Sequence, residues 1–239
     1  MVLYGTLVNG LGILVGTVFG LFFTKVPERY KETIMSGIGL TVVIIGIMMG
    51  SSSDRIVVIL LSLLTGAIIG EAIKLEDRLN ALGQWIENKF QGSSQSQSTI
   101  AQGFVTASLI FVIGAMAVIG SLDSGLRGDH EVLVTKAVID GFVAMVLTTT
   151  LGIGVVFSVI PVLLYQGSIA MFATQIERLL PGDYLQLFIE DMTSTGGLLI
   201  LAIGLNLLNV THIRVANLLP SLITVGFILL AYNWFSGWF

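Results

Sequence analysis

The sequence predicts an all-α, polytopic transmembrane helix bundle of about eight spans. Three observations lead there. Of its 239 residues, 54% are hydrophobic and only 11% are charged, against about 25% charged in an ordinary soluble domain. The mean hydropathy of +0.94 exceeds what a soluble core of this size can bury, so the bilayer is the expected solvent. The apolar residues also fall into runs of span length. The longest, Leu133 to Thr174, carries no Asp, Glu, Lys or Arg after Asp140, and the next charge is Glu177.

A crossing needs about 20 largely apolar residues. Span 1 is expected over Leu3–Phe23, stopped by Thr24-Lys25-Val26-Pro27 and retained as a span rather than cleaved as a signal. Gly12, Gly16 and Gly20 give it a small-residue face that lets another backbone approach closely. That face serves as either an ordinary helix contact or a pore-lining or homo-oligomer face. Span 2 is expected over Thr33–Met49 and span 3 over Arg55–Ile73. Ser51–Asp54 makes the turn between them, and Glu71 and Lys74 are spaced to pair. Leu75, Leu79, Leu82, Ile86 and Phe90 recur at helical spacing among charges, the pattern of an interfacial amphipathic helix. Residues 92–98, rich in Ser and Gln, form a polar linker. The chain is one integral membrane domain, 1–239, with pseudo-halves 1–91 and 99–239.

Span 4 is expected over Gly103–Ile119. It leads into a polar turn in which Asp123, Asp129, His130 and Glu131 are acidic or imidazole groups without the spacing of a calcium loop. The run 133–174 is too long for one crossing, so it divides near Gly152–Gly154 into spans 5 and 6. Residues 176–190 form a second interfacial segment, turning at Pro181-Gly182-Asp183. Span 7 covers Thr193–Asn209 and span 8 covers Val215–Trp234. Trp234, Trp238 and Phe239 fit an aromatic belt. With the N-terminus outside, inside loops hold seven Lys and Arg and outside loops four, a weak bias in the expected sense.

An internal repeat connects spans 2–3 with spans 7–8. Gly39–Ile47 matches Gly197–Leu205 at four of nine positions, both glycines included. After a one-residue shift, Arg55–Thr65 matches Arg214–Thr224 at Arg, Leu, Ser, Leu and Thr. If the long run crosses twice, the two copies have opposite orientation. That inverted arrangement is the plan of many secondary transporters, with the site near the midplane.

Asp140 is the sharpest candidate for chemistry. A carboxylate within a span is costly and ordinarily faces a partner or an aqueous path. Lys136 lies four residues before it, so the pair either anchors the helix or leaves the acid free to hold a cation or proton. Hydroxyls and carbonyls of Thr148, Thr149 and Thr150 could line a route. Asn9, Gln166, Asn206 and Asn217 add amides, and Pro161 and Pro220 are expected to interrupt their spans and free carbonyls. These residues make up the expected pathway; a structural or regulatory membrane module is the alternative. No cofactor is expected and the identity of any metal is open. The absence of Cys excludes thiol chemistry and disulfides. No HExxH or GxSxG pattern exists, and the two histidines lie in loops, so no enzyme is expected. The net charge of -4, without a basic tract, argues against nucleic acid. The partners are the lipid bilayer and a monovalent cation or small solute.

Seven segments resemble one known family: Gly5–Gly10, Gly103–Ser108, Asp140-Gly-Phe142, Thr150–Gly154, Pro161–Gly167, Gly197–Leu201 and Ile213–Pro220. Together they are similar to the YqgA-like bacterial inner-membrane proteins, a domain of unknown function, over essentially the whole chain. The resemblance implies a multi-span protein of the bacterial cytoplasmic membrane, and a cation channel or pump has been suggested for the family. One departure is Ala115 after Gly114, where the family often carries proline, which puts any bend carried by that proline in doubt.

Overall fold

A computed structural model describes residues 1–22, 28–79, 81, 98–179 and 182–236. The described residues are mostly helical, with no strand among them. The span-1 stop at 24–27, the surface helix beyond Leu79 except for position 81, the linker except for Ser98, Pro181, Trp238 and Phe239 lie outside them. The chain forms two compact units. The first comprises Met1–Ile38 and Leu79–Leu180, the second Gly39–Arg78 and Pro181–Phe239.

The first unit is built around α1 (Tyr4–Phe22). Its remaining helices are α4 (Ser98–Val112), α5 (Ala115–Leu126), α6 (Glu131–Leu151), α7 (Val159–Met171) and α8 (Ala173–Leu179). A 3-10 segment, Gly152–Ser158, joins α6 to α7. Helix α1 is inside-out relative to a soluble helix. Its buried positions are Gly5, Thr6, Asn9, Gly10, Ile13, Gly16, Thr17 and Gly20. Leu7, Leu11, Val15, Val18 and Phe19 point outward and are exposed. In lipid, apolar surface gains nothing by leaving its solvent, so close packing and polar contacts hold the helices together.

The glycine stripe of α1 lies along α6. A Cβ at Gly12, Gly16 or Gly20 would meet the carbonyl oxygens of Ala137, Gly141 and Met145 respectively. Both sets of numbers rise together, so α1 and α6 run parallel. The small-residue face is therefore filled within the chain. Helix α7 also touches α1, but in the opposite sense: Gly10 faces Leu163 and Val159, while Gly167 faces Leu3.

This settles how the long apolar run is laid out. Glu131–Met171 is one apolar stretch of 41 residues. A straight helix would hold Asp140 and Gln166 about 39 Å apart, yet both reach Asn9. The chain reverses at Gly152–Ser158. Gly152 has a positive φ of 69°, which glycine adopts without strain. Gly154 packs against the backbone of Ile100, so the turn is seated on the start of α4. Pro161 falls in the first turn of α7 and interrupts nothing. There its fixed φ suits the helix and the missing amide costs little.

Span 4 differs from the expected straight helix. It bends by 61° between α4 and α5. Gly114 supplies the bend with φ 136° and ψ 149°, so the corner is present although Ala115 replaces the proline. The expected polar turn after Ile119 is helix as far as Leu126, with Gly120, Ser121, Leu122 and Ser124 buried. These small side chains let a polar-looking sequence pack inside. Asp123 pairs with Arg127 at 3.2 Å, and Asp129 accepts the Glu131 amide at 3.0 Å.

The second unit contains α3 (Ile56–Ala72), α9 (Gly182–Leu207), a 3-10 turn (Val215–Leu218) and α10 (Ser221–Ser236). It also holds most of α2 (Glu28–Gly50), from Gly39 onward. Residues 182–190, expected at the interface, are part of α9. Pro220 stands just before α10 and accepts the amides of Ile223 and Thr224 at its start, so it begins a helix rather than breaking one. The two segments that match in sequence lie against each other antiparallel. Gly39 meets Leu208, Gly204 meets Val43, Gly46 meets Leu201 and Gly197 meets Gly50. Gly66 meets Ser221 and Gly70 meets Asn217, so α3 and α10 are antiparallel too.

By length and composition, Tyr4–Phe22, Glu131–Met171, Tyr184–Leu207 and Val215–Trp234 can each cross a bilayer. The bent pair of α4 and α5 makes a fifth such segment, and Met35–Gly50 and Ile56–Ala72 are shorter apolar helices.

Candidate functional site

In the first unit the sequence candidates Asp140, Asn9 and Gln166 come together. Asp140 and Lys136 share one face of α6, four residues apart. The Lys136 ammonium donates to Asp140 Oδ1 at 2.8 Å and stands 2.8 Å from Oδ2. Their side chains are only 8% and 6% exposed, so the pair is enclosed by the bundle. Such a pair stays ionised away from water only when each charge has its partner.

Asn9 on α1 is fully buried and its amide faces the Asp140 carboxylate. Its Nδ2 donates to Gln166 Oε1 on α7 at 3.2 Å. One bond between two amides leaves one acceptor and one donor unspent, here Asn9 Oδ1 and Gln166 Nε2. Thr6 Oγ1, one helical turn from Asn9, is also buried without a partner, as is Thr17 Oγ1. Polar atoms left without hydrogen bonds in a sealed interior are rare and call for an explanation. Their concentration beside an ion pair marks this cluster as the candidate site.

The other candidates lie elsewhere. Thr148, Thr149 and Thr150 each return their hydroxyl to the carbonyl three or four residues back on α6, at 2.7, 2.7 and 3.0 Å. Asn206 in the second unit donates to Ile213 O at 2.7 Å and accepts from Thr211 and Ile213, holding the turn after α9. Asn217 accepts the Glu76 amide at 2.7 Å. Glu76 in turn accepts the Ala216 amide at 3.0 Å. Glu71 pairs with Arg214 at 3.1 Å rather than with Lys74.

A second buried acid is Asp191 on α9, one residue past the segment expected at the interface. It is fully buried. Arg55, just ahead of α3, reaches both its oxygens through Nε, at 3.0 and 3.1 Å, and Ser53 donates to Oδ1. The same guanidinium reaches Leu187 O and Glu190 Oε2 through Nη2, at 3.0 and 3.2 Å. Thr193, Ser194 and Thr195 follow on α9, all buried. The polar run Glu190–Thr195 directly ahead of the repeat glycine was the signal available in the sequence. Among the described residues, no three His, Asp or Glu side chains are grouped to hold a metal ion.

An all-helical chain with several span-length apolar segments is a membrane protein. It belongs to the family described as "Protein of unknown function (DUF554)", whose model matches residues 4–230. It is 33% identical over 226 residues to the uncharacterized membrane protein YdfK of Bacillus subtilis (strain 168), covering 92% of this chain and 93% of that one. It is 31% identical over 222 residues to the uncharacterized protein YqgA of Escherichia coli (strain K12), with 92% and 93% covered. No solved structure matches.

Proposed function

We propose that the protein is a transporter or channel that passes a cation or small solute across the bacterial cytoplasmic membrane, with Asp140, Asn9 and Gln166 at its site. One observation carries the reading. A charged pair and two amides with unspent hydrogen-bonding atoms are buried between α1, α6 and α7, in segments apolar enough to span a bilayer. Intramembrane ionisable groups of this kind mark solute or proton paths more often than they serve as packing. The antiparallel, reciprocal glycine contacts between α2 and α9 support an inverted repeat, the architecture in which two halves exchange roles about a central site. This reading gives the protein no enzymatic reaction and needs no cofactor.

The test is flux into proteoliposomes across a panel of sodium, potassium and lithium ions and uncharged solutes, with Asp140→Asn beside the wild type. Loss of flux in a folded variant supports the reading. Unchanged flux removes Asp140 from the mechanism. A second reading, a structural or regulatory module, is favoured by the closed state of the cluster, since Asp140 is only 4% exposed and already paired. No flux for any solute, together with recovery of a stable partner protein through the apolar faces, would decide for it.

A further inference from the structure

The Lys136 ammonium is a single positive charge held against both oxygens of the one carboxylate in the cluster. Next to that carboxylate, Asn9 Oδ1 is a fully buried acceptor with no donor. The two carboxylate oxygens around the ammonium are ligands a small cation would need, and an amide with an unspent oxygen lies beside them. Among the described residues, Lys136 supplies the positive charge held against the Asp140 carboxylate. Among the described residues, the titratable groups on neighbouring elements are few. Helix α1 brings Tyr4, whose ring lies against His130. Helix α4 brings none. Helix α5 brings Asp123, held by Arg127, and α7 brings Tyr165.

Lys136 also has somewhere to go. It stands five residues from Glu131, the first residue of α6, or about 7.5 Å along the axis. Asp129 and Glu131 at that end are exposed. A lysine stem can lay its methylenes along apolar surface and carry its head group to water.

We propose that Lys136 is a tethered competitor: its ammonium fills the cation position at Asp140 and leaves toward the 129–131 end when a monovalent cation takes its place. The proposal rests on the transport reading for its purpose, and it names the substrate class. A monovalent cation replaces the ammonium charge for charge, whereas a divalent ion would leave the buried site with an excess positive charge that nothing nearby offsets.

The experiment uses the wild-type full chain in nanodiscs. Lys136 acylation by acetic anhydride is read by mass spectrometry in sodium, potassium, lithium and choline chloride at equal ionic strength. An enclosed, paired lysine reacts slowly, so at least one alkali cation should raise its labelling roughly ten-fold over choline. Equal labelling in all four salts overturns the proposal. A second arm uses Lys136→Gln, which should gain saturable thermal stabilisation by the same cation. Lys136→Arg, which keeps the charge in place, should not, and the double variant Lys136→Gln/Asp140→Asn should lose the gain. Stabilisation that persists without Asp140 also overturns it. Cation-dependent labelling without flux in liposomes would leave this proposal standing and remove the transport reading; flux with flat labelling does the reverse.

Discussion

Replacing Gly16 by alanine tests how α1 is held in its unit. The perturbation is one methyl group. Placed on the existing backbone, it would overlap the Gly141 carbonyl oxygen of α6, with the carbonyl carbon 2.7 Å and the Cα 3.0 Å away. Those atoms are backbone and cannot rotate aside, so the two helices must part by on the order of 1 Å, given the close packing of interiors. Gly12 and Gly20 sit on carbonyls of the same helix, so parting at Gly16 loosens the contact above and below it. Overpacking of this kind costs about 1–3 kcal/mol, against a helix-propensity gain of up to about 1 kcal/mol for alanine. The expected net loss is about 1–2 kcal/mol. The control is Gly37→Ala, where a Cβ would meet nothing within 4 Å; there only the propensity gain applies. The assay is reversible denaturation in mixed micelles, both variants beside the wild type. Equal stability of Gly16→Ala and Gly37→Ala would refute the backbone contact as the source of cohesion.

Three further outcomes are expected. Asp191→Asn should destabilise by about 1–3 kcal/mol in the same assay, because it removes the charge opposite Arg55 Nε while Glu190 and Leu187 O still hold Nη2. Gly114→Ala should cost about 1–3 kcal/mol, since φ 136° with ψ 149° is a region that only glycine occupies freely; loss of helicity or a drop in thermal midpoint reads it. Burial pushes the Glu76 carboxyl above its usual value, against the opposing pull of the Ala216 amide and Arg214. The folded state therefore favours the protonated acid. That contribution is complete below the unfolded value and is lost as pH rises through the higher folded value. Glu76→Gln, which can still accept the Ala216 amide, should flatten the stability–pH profile over that window and raise stability above it.

The helical membrane class and the reversal near Gly152–Gly154 were legible in the sequence, because hydropathy and glycine act locally. Helix ends were less so. Residues 120–126 look like a loop by polarity, yet glycine and serine are small enough to be buried without cost when their hydroxyls return to the backbone, as Ser121 does to Ala117 at 2.6 Å. Both prolines were misread as interruptions for a related reason. Composition cannot tell the first turn of a helix from its interior. Of the site, the pairing of Lys136 with Asp140 followed from spacing, while the meeting of Asn9 and Gln166 did not. They are separated by 157 positions, and only the reversal of the chain that lays α7 antiparallel on α1 brings them together. The burial of Asp191 was not legible because its partner Arg55 lies 136 residues away.

The parallel contact between α1 and α6 has a consequence for biosynthesis. The glycine face of α1 and Asn9 have no partner until residues 136–148 have left the ribosome. At 5–20 residues per second, that wait is about 6–25 s. Throughout it, α1 must sit in the bilayer with an amide and two threonines turned toward lipid or toward whatever escorts a nascent helix. The same small, polar face that later locks the unit together is therefore its point of greatest exposure during synthesis. Changes there should be read in the yield of inserted protein as well as in the stability of the finished one.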